Sequence, residues 1–109
     1  MCKMFAGIPI ENYESETRSL RLGGHATSIR LEVAYWHLLE ELASAEKMPL
    51  ARFLTTLYVE VLDLHGEVRN FASLLRCACL LHLERVVDAA AVRTEPQPQR
   101  AMAQLSLVR

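Results

Sequence analysis

Two periodicities divide the chain near residue 32. In the stretch 26–31 polar and apolar residues alternate, with Thr27, Ile29 and Leu31 on one side of an extended segment and Ala26, Ser28 and Arg30 on the other. A period of two marks a strand with one buried face. The run 18–22 has the same character, with Leu20 and Leu22 opposite Ser19 and Arg21, and Gly23-Gly24 between the runs tolerates the positive φ of a tight reversal. The pattern predicts one short strand, or two.

From Glu32 the period becomes helical. Val33, Trp36, Leu39, Leu42 and Ala43 form one stripe, Glu40 and Glu41 lie outside it, and Glu32 falls in the first turn, where the helix dipole favours an anion. This helix is predicted to end around Glu46-Lys47-Met48. Pro49 suits the first turn of a second helix with the apolar face Leu50, Phe53, Leu54, Leu57, Tyr58, Val61 and Leu62, closed by His65-Gly66. Asn70 can cap a third helix running from Phe71 to about Val87. Its face, Phe71, Leu74, Leu75, Ala78 and Leu81, widens to Leu80 and Leu83, so this helix wants burial on two sides. Residues 1–17 carry no helical period and are expected to form an arm lying on the domain 18–87 or on a partner. Residues 88–109 include Thr94-Glu-Pro-Gln-Pro-Gln, where alternate prolines block regular structure, and are expected to form a flexible tail.

A chain of 109 residues has room for one domain. Its 51% hydrophobic and 23% charged residues belong to a globular protein, and so small a core makes self-association a natural source of stability. The net charge of −1 gives no global basic excess, so any basic face must be local. Residues 1–31 sum to +1, 32–87 to −3 and 88–109 to +1, which makes the stretch 18–30 the best candidate. Cys2, Cys77 and Cys79 are odd in number, and Cys77-Ala-Cys79 lacks the C-x-x-C spacing of a zinc knuckle or redox pair. Reduced thiols in a cytoplasmic protein are expected. No basic segment leads into an apolar leader and no apolar run approaches the about 18 residues of a membrane span, so neither export nor insertion is expected. His25, His37, His65 and His82 show no i, i+4 pairing, and the chain has no G-x-x-x-x-G-K-[ST], G-x-S-x-G or H-E-x-x-H motif. No metal, cofactor or catalytic residue is predicted.

A lone six-residue strand leaves its backbone groups unpaired. Pairing of 26–31 with the same strand of a second chain would solve this, burying Ile29 and Leu31 and presenting Ser28 and Arg30 outward from both copies. A two-stranded ribbon of that kind fits the DNA major groove, where arginine addresses guanine and serine addresses base or phosphate. Trp36, Leu39, Phe53 and Leu57, with Ile29 and Leu31, are the expected dimer core.

The run Thr27-Ser-Ile-Arg-Leu-Glu32, the helix around Trp36-His-Leu-Leu-Glu-Glu-Leu42, the short loop and the helix 52–64 resemble the ribbon-helix-helix family of DNA-binding proteins. Residues 1–84, including Arg18-Ser-Leu-Arg-Leu22 and Gly66-Glu-Val-Arg-Asn-Phe-Ala-Ser-Leu-Leu-Arg76, are similar to a bacterial branch with an extra C-terminal helix. The resemblance implies a mainly α fold with a short β-ribbon, built as an intertwined homodimer. It also implies that alternate ribbon residues read bases while the start of the second helix clamps a phosphate. By position the readers are Ser28 and Arg30, with Ala26 as a third. Arg21 and Arg18 extend the basic surface, and Leu50, Ala51 and Arg52 form the clamp. Three features depart from the family pattern: Ala26 offers no polar side chain, Lys47 and Pro49 stand where glycine and Ser or Thr are common, and the chain is acidic overall. The functional expectation is a repressor acting on double-stranded DNA at the nucleoid, as a homodimer or in higher order on DNA. The alternative is a dimeric adaptor or antitoxin-like module that engages a protein partner through the third helix or the N-terminal arm.

Overall fold

The structure is a computed structural model that describes residues 3–91. Two one-turn helices, α1 (Lys3–Ala6) and α2 (Ile10–Tyr13), come first, and α2 rests against the later helix α3. The stretch expected to be an aperiodic arm thus contains two single helical turns, too short to show a period. Strands β1 (Ser15–Leu22) and β2 (His25–Glu32) follow, then α3 (Val33–Ala45), α4 (Leu50–His65) and α5 (Phe71–Ala91). Of the tail expected from residue 88, 88–91 continue α5, and 92–109 lie outside the described residues.

β1 and β2 form a two-stranded antiparallel hairpin. Its turn is Gly23-Gly24 with φ of +57° and +86°, the left-handed pair that a two-residue hairpin loop demands. A side chain at Gly23 would also meet the Tyr58 ring, 3.2 Å from its Cε2. The hairpin corrects one expectation. The strand 26–31 finds its first partner in its own chain, so pairing alone does not require a second copy. β1 also begins at Ser15, three residues earlier than the apolar alternation indicates, because its first two inward positions are the charged Glu16 and Arg18.

Leu22, Ile29 and Leu31 project from one hairpin face onto the helices, where Trp36 and Leu39 of α3, Leu54 of α4, and Leu75 and Cys79 of α5 complete the buried cluster. Leu31, Trp36, Leu39, Leu54, Leu75 and Cys79 are fully buried. Phe53 and Leu57 are half-buried against them. Burying a side chain of this size stabilises by about 1.5–3 kcal/mol, so this cluster holds the hairpin to the helices.

Polar groups fix the angles. The indole N–H of Trp36 donates to the Glu16 carbonyl at 2.8 Å, and the Val33 N–H donates to the Glu14 carbonyl at 2.9 Å, so the start of β1 is tied to the start of α3. Thr55 Oγ1 donates to the Arg21 carbonyl at 3.1 Å, which ties α4 to the end of β1. Gly66, at φ +80°, ends α4 with its N–H on the Leu62 carbonyl. Asn70 Oδ1 accepts from the Ser73 N–H at 3.4 Å, so Asn70 caps α5 as its side chain predicts.

Candidate nucleic-acid interface

The hairpin register sorts side chains by face. Thr17 stands opposite Arg30, Ser19 opposite Ser28 and Arg21 opposite Ala26. All six are exposed, and cross-strand partners share a side of the sheet. Ser28, Arg30, Ala26 and Arg21 therefore lie together on the solvent face. Thr17 and Ser19, which sequence reasoning missed, lie with them. Their signal is an alternation of hydroxyls against Glu16 and Arg18 that hydropathy does not register.

Arg18 lies elsewhere, which corrects its expected part in the basic surface. It points to the helix side, where Nε meets Glu16 Oε2 at 2.6 Å, Nη1 meets Glu40 Oε2 at 3.0 Å, and the guanidinium sits 4.6 Å from the Trp36 ring centroid. Burial alone pulls the Arg18 pKa down, but the bonds to Glu16 and Glu40 outweigh it and the net shift is upward. A guanidinium so engaged bridges β1 and α3 and is turned away from the solvent face.

The same arrangement pairs the hairpin's two carboxylates with arginines other than Arg21 and Arg30. Glu16 is paired with Arg18 behind the sheet. Glu32, at the far end of β2, accepts from Arg76 Nε at 3.1 Å. Its own backbone N–H, then the Arg76 guanidinium, hold its carboxyl below the ordinary value, with smaller help from Arg30. Arg30 makes no ion pair among the described residues. Among the described residues Arg21 donates from Nη1 to the Gly24 carbonyl alone, at 3.1 Å. The chain is acidic as a whole, yet its hairpin offers solvent two guanidiniums flanked by hydroxyls.

β2 has a second edge. In a hairpin with a two-residue loop the residues flanking the turn, Leu22 and His25, exchange hydrogen bonds, and hydrogen-bonded and non-bonded pairs then alternate. The backbone groups of Ala26, Ser28 and Arg30 accordingly point away from β1. That edge borders a groove of about 520 Å³, whose far wall is Val68, Asn70, Phe71 and Ala72 with Tyr58 beside the turn.

Leu50, Ala51 and Arg52 form the first turn of α4, with Leu50 half-buried and the other two exposed. The Phe53 N–H donates to the Pro49 carbonyl at 2.9 Å, so the three preceding N–H groups have no acceptor inside the helix. Pro49 supplies no side-chain cap, and Lys47 in the loop holds φ at +60° where glycine is easier. The clamp residues lie about one turn before Thr55, on a different element from the hairpin face.

The remaining chemistry is structural. Cys79 is buried with its Sγ 3.8 Å from the Tyr35 carbonyl, and burial pushes its thiol up to about 11, the behaviour of an inert core residue. His82 Nε2 lies 3.1 Å from Glu41 Oε1, linking α5 to α3. Among the described residues no group of three or more His, Cys, Asp or Glu is placed to hold a metal ion, and no helix is long and apolar enough to cross a membrane.

A hairpin strand running directly into two helices, with alternate residues facing the core and solvent, defines the class: residues 15–83 match the ribbon-helix-helix domain, and the chain belongs to that family. Its members usually bind DNA as dimeric transcription regulators. Among solved structures the chain is similar to an uncharacterized protein from Bordetella pertussis Tohama I, with a TM-score of 0.74 and 38% identity over 86% of this chain and 73% of that one. Comparison with the curated proteins gives no match.

Proposed function

We propose that the chain is a sequence-specific DNA-binding transcription regulator, a repressor that occupies promoter DNA at the nucleoid as a homodimer. The observation that carries this reading is the solvent face of the hairpin, where Ser28 and Arg30 are exposed and make no side-chain hydrogen bond or ion pair among the described residues, beside the β2 edge that β1 leaves unpaired. Antiparallel pairing of β2 with β2 of a second copy places both pairs of readers on one ribbon, narrow enough for a major groove about 12 Å wide. Arg30 addresses a guanine edge, Ser28 a base or phosphate, and Ala26 makes apolar contact with a thymine methyl group. The α4 start, Leu50 to Arg52, holds a backbone phosphate through its free N–H groups and the Arg52 charge.

Unspent apolar surface supports the dimer. Val59 and Leu62 of α4 are both exposed and share a face at helical spacing. A second copy seated along β2 and α4 covers part of this surface, and Phe53 and Leu57 join the shared core.

The test is selection of random duplexes by the purified protein at two salt concentrations. A specific reader enriches one motif, and its affinity falls as salt rises. Leu80, Leu83 and Val87 form a second exposed apolar face, on α5, and support the other reading, a dimeric adaptor or antitoxin-like module. That protein enriches no motif and retains a protein partner instead.

A further inference from the structure

We infer that β1 is a phosphate-contacting shoulder beside the reading strand: Thr17, Ser19 and Arg21 grip the DNA backbone while Ser28 and Arg30 address the bases. This rests on the DNA-binding reading above and assigns β1 a separate part in it.

Width decides where each strand falls. Each β2 is already paired with β1 on one edge, so joining two copies through the free β2 edges gives the order β1-β2-β2-β1. Neighbouring strands lie about 4.8 Å apart, which separates the outer strands by about 14 Å. The major groove is about 12 Å wide. The two central strands enter it, and the outer pair falls over the walls, where the phosphates are. The side chains suit that position. Thr17 and Ser19 are short donors exposed on the same face as the readers, and Arg21 is exposed at the end of the strand with the Gly24 carbonyl as its one partner among the described residues. The strand's other arginine, Arg18, is turned inward to Glu16 and Glu40, so the grip carries one positive charge per copy.

Hydroxyl and guanidinium groups on phosphate add affinity without sequence information. Arg21→Ala in the full chain, compared with the parent by fluorescence anisotropy on the selected duplex and on a scrambled one, is expected to lower affinity for both by a similar factor, about 3- to 10-fold. The salt slope should shrink by about 0.9 for each phosphate no longer neutralised, hence about 1.8 per dimer. The selected motif is unchanged, and Arg21→Lys, which keeps the charge, recovers most of the affinity. An Arg21→Ala protein with parental affinity and slope overturns the shoulder, since β1 then stands off the DNA. A changed motif, or weakening confined to the selected duplex, overturns it the other way, because β1 is then reading bases. If the parent binds neither duplex, the DNA reading itself has failed and the shoulder falls with it. Circular dichroism of each variant separates these outcomes from misfolding.

Discussion

At the scale of single residues, the division between arginines matters most. Arg18, Arg21 and Arg30 lie within thirteen positions of one another, yet only the last two face solvent from the hairpin. Period-two patterning separates Arg30 from Ile29 and Leu31 without any structure. It does not reveal that Arg18 answers Glu40, which lies 22 residues away. Such a pairing is invisible locally because the hairpin and α3 must both form before the groups meet. For Arg30→Ala, removal of one bidentate base interaction predicts weaker specific binding by about 1–3 kcal/mol for each, read by anisotropy on the selected duplex, with far-ultraviolet dichroism unchanged. Unaltered affinity would remove Arg30 from the reading face. Glu32 supports a prediction about pH. Its folded-state pKa is depressed below the ordinary 4.5, so its contribution to stability is complete above that value and is lost as pH falls through the lower folded value. Urea midpoints measured down an acid series should therefore fall less steeply for Glu32→Gln than for the parent, and identical slopes would show that neither the backbone N–H nor Arg76 stabilises the ionised Glu32 carboxyl in the folded state.

Elements are legible where burial imposes a period and illegible where it does not. The starts and ends of α3 and α4 follow from the apolar stripe, Pro49 and Gly66. The single turns α1 and α2 are too short to carry a stripe, and the extension of α5 to Ala91 passes through an alanine run that suits a helix or a tail equally. The first half of β1 escapes for a different reason: inward positions filled by Glu16 and Arg18 neutralise one another, so a buried-face pattern exists in charge and not in hydropathy. The α3–α4 loop offers an element-scale test. Lys47 adopts φ +60°, a conformation costing a side-chain-bearing residue about 1–2 kcal/mol, partly offset in glycine by its greater unfolded-state freedom. Lys47→Gly should therefore stabilise by about 0.5–1 kcal/mol, raising Tm by about 2–6 °C in calorimetry for a domain of this size. A lower Tm would mean that the Lys47 side chain makes interactions outweighing the backbone strain.

For the whole molecule the deciding question is what the second edge of β2 does. By sequence alone, dimerisation follows from an unpaired strand; the hairpin removes that necessity and leaves the free edge, the groove beside it and the exposed apolar residues of α4 as the grounds for a second copy. Ser28 isolates this edge chemically. It pairs with Ser19 at the fourth step from the turn, so its N–H points away from β1 and its removal costs the hairpin no hydrogen bond. Proline is tolerated on an edge strand at such a position and blocks any strand added there by removing a donor. Ser28→Pro should thus retain the hairpin and helices by dichroism, sediment as a monomer at micromolar concentration where the parent is a dimer, and lose DNA binding altogether, beyond what Ser28→Ala loses. A Ser28→Pro protein that still sediments as a dimer would locate the interface on the helices alone, and two β2 strands could then not share one groove as a continuous ribbon. A parental chain that is monomeric under the same conditions would remove the symmetric reading head, because a single hairpin presents only one copy of Ser28 and Arg30 to the DNA.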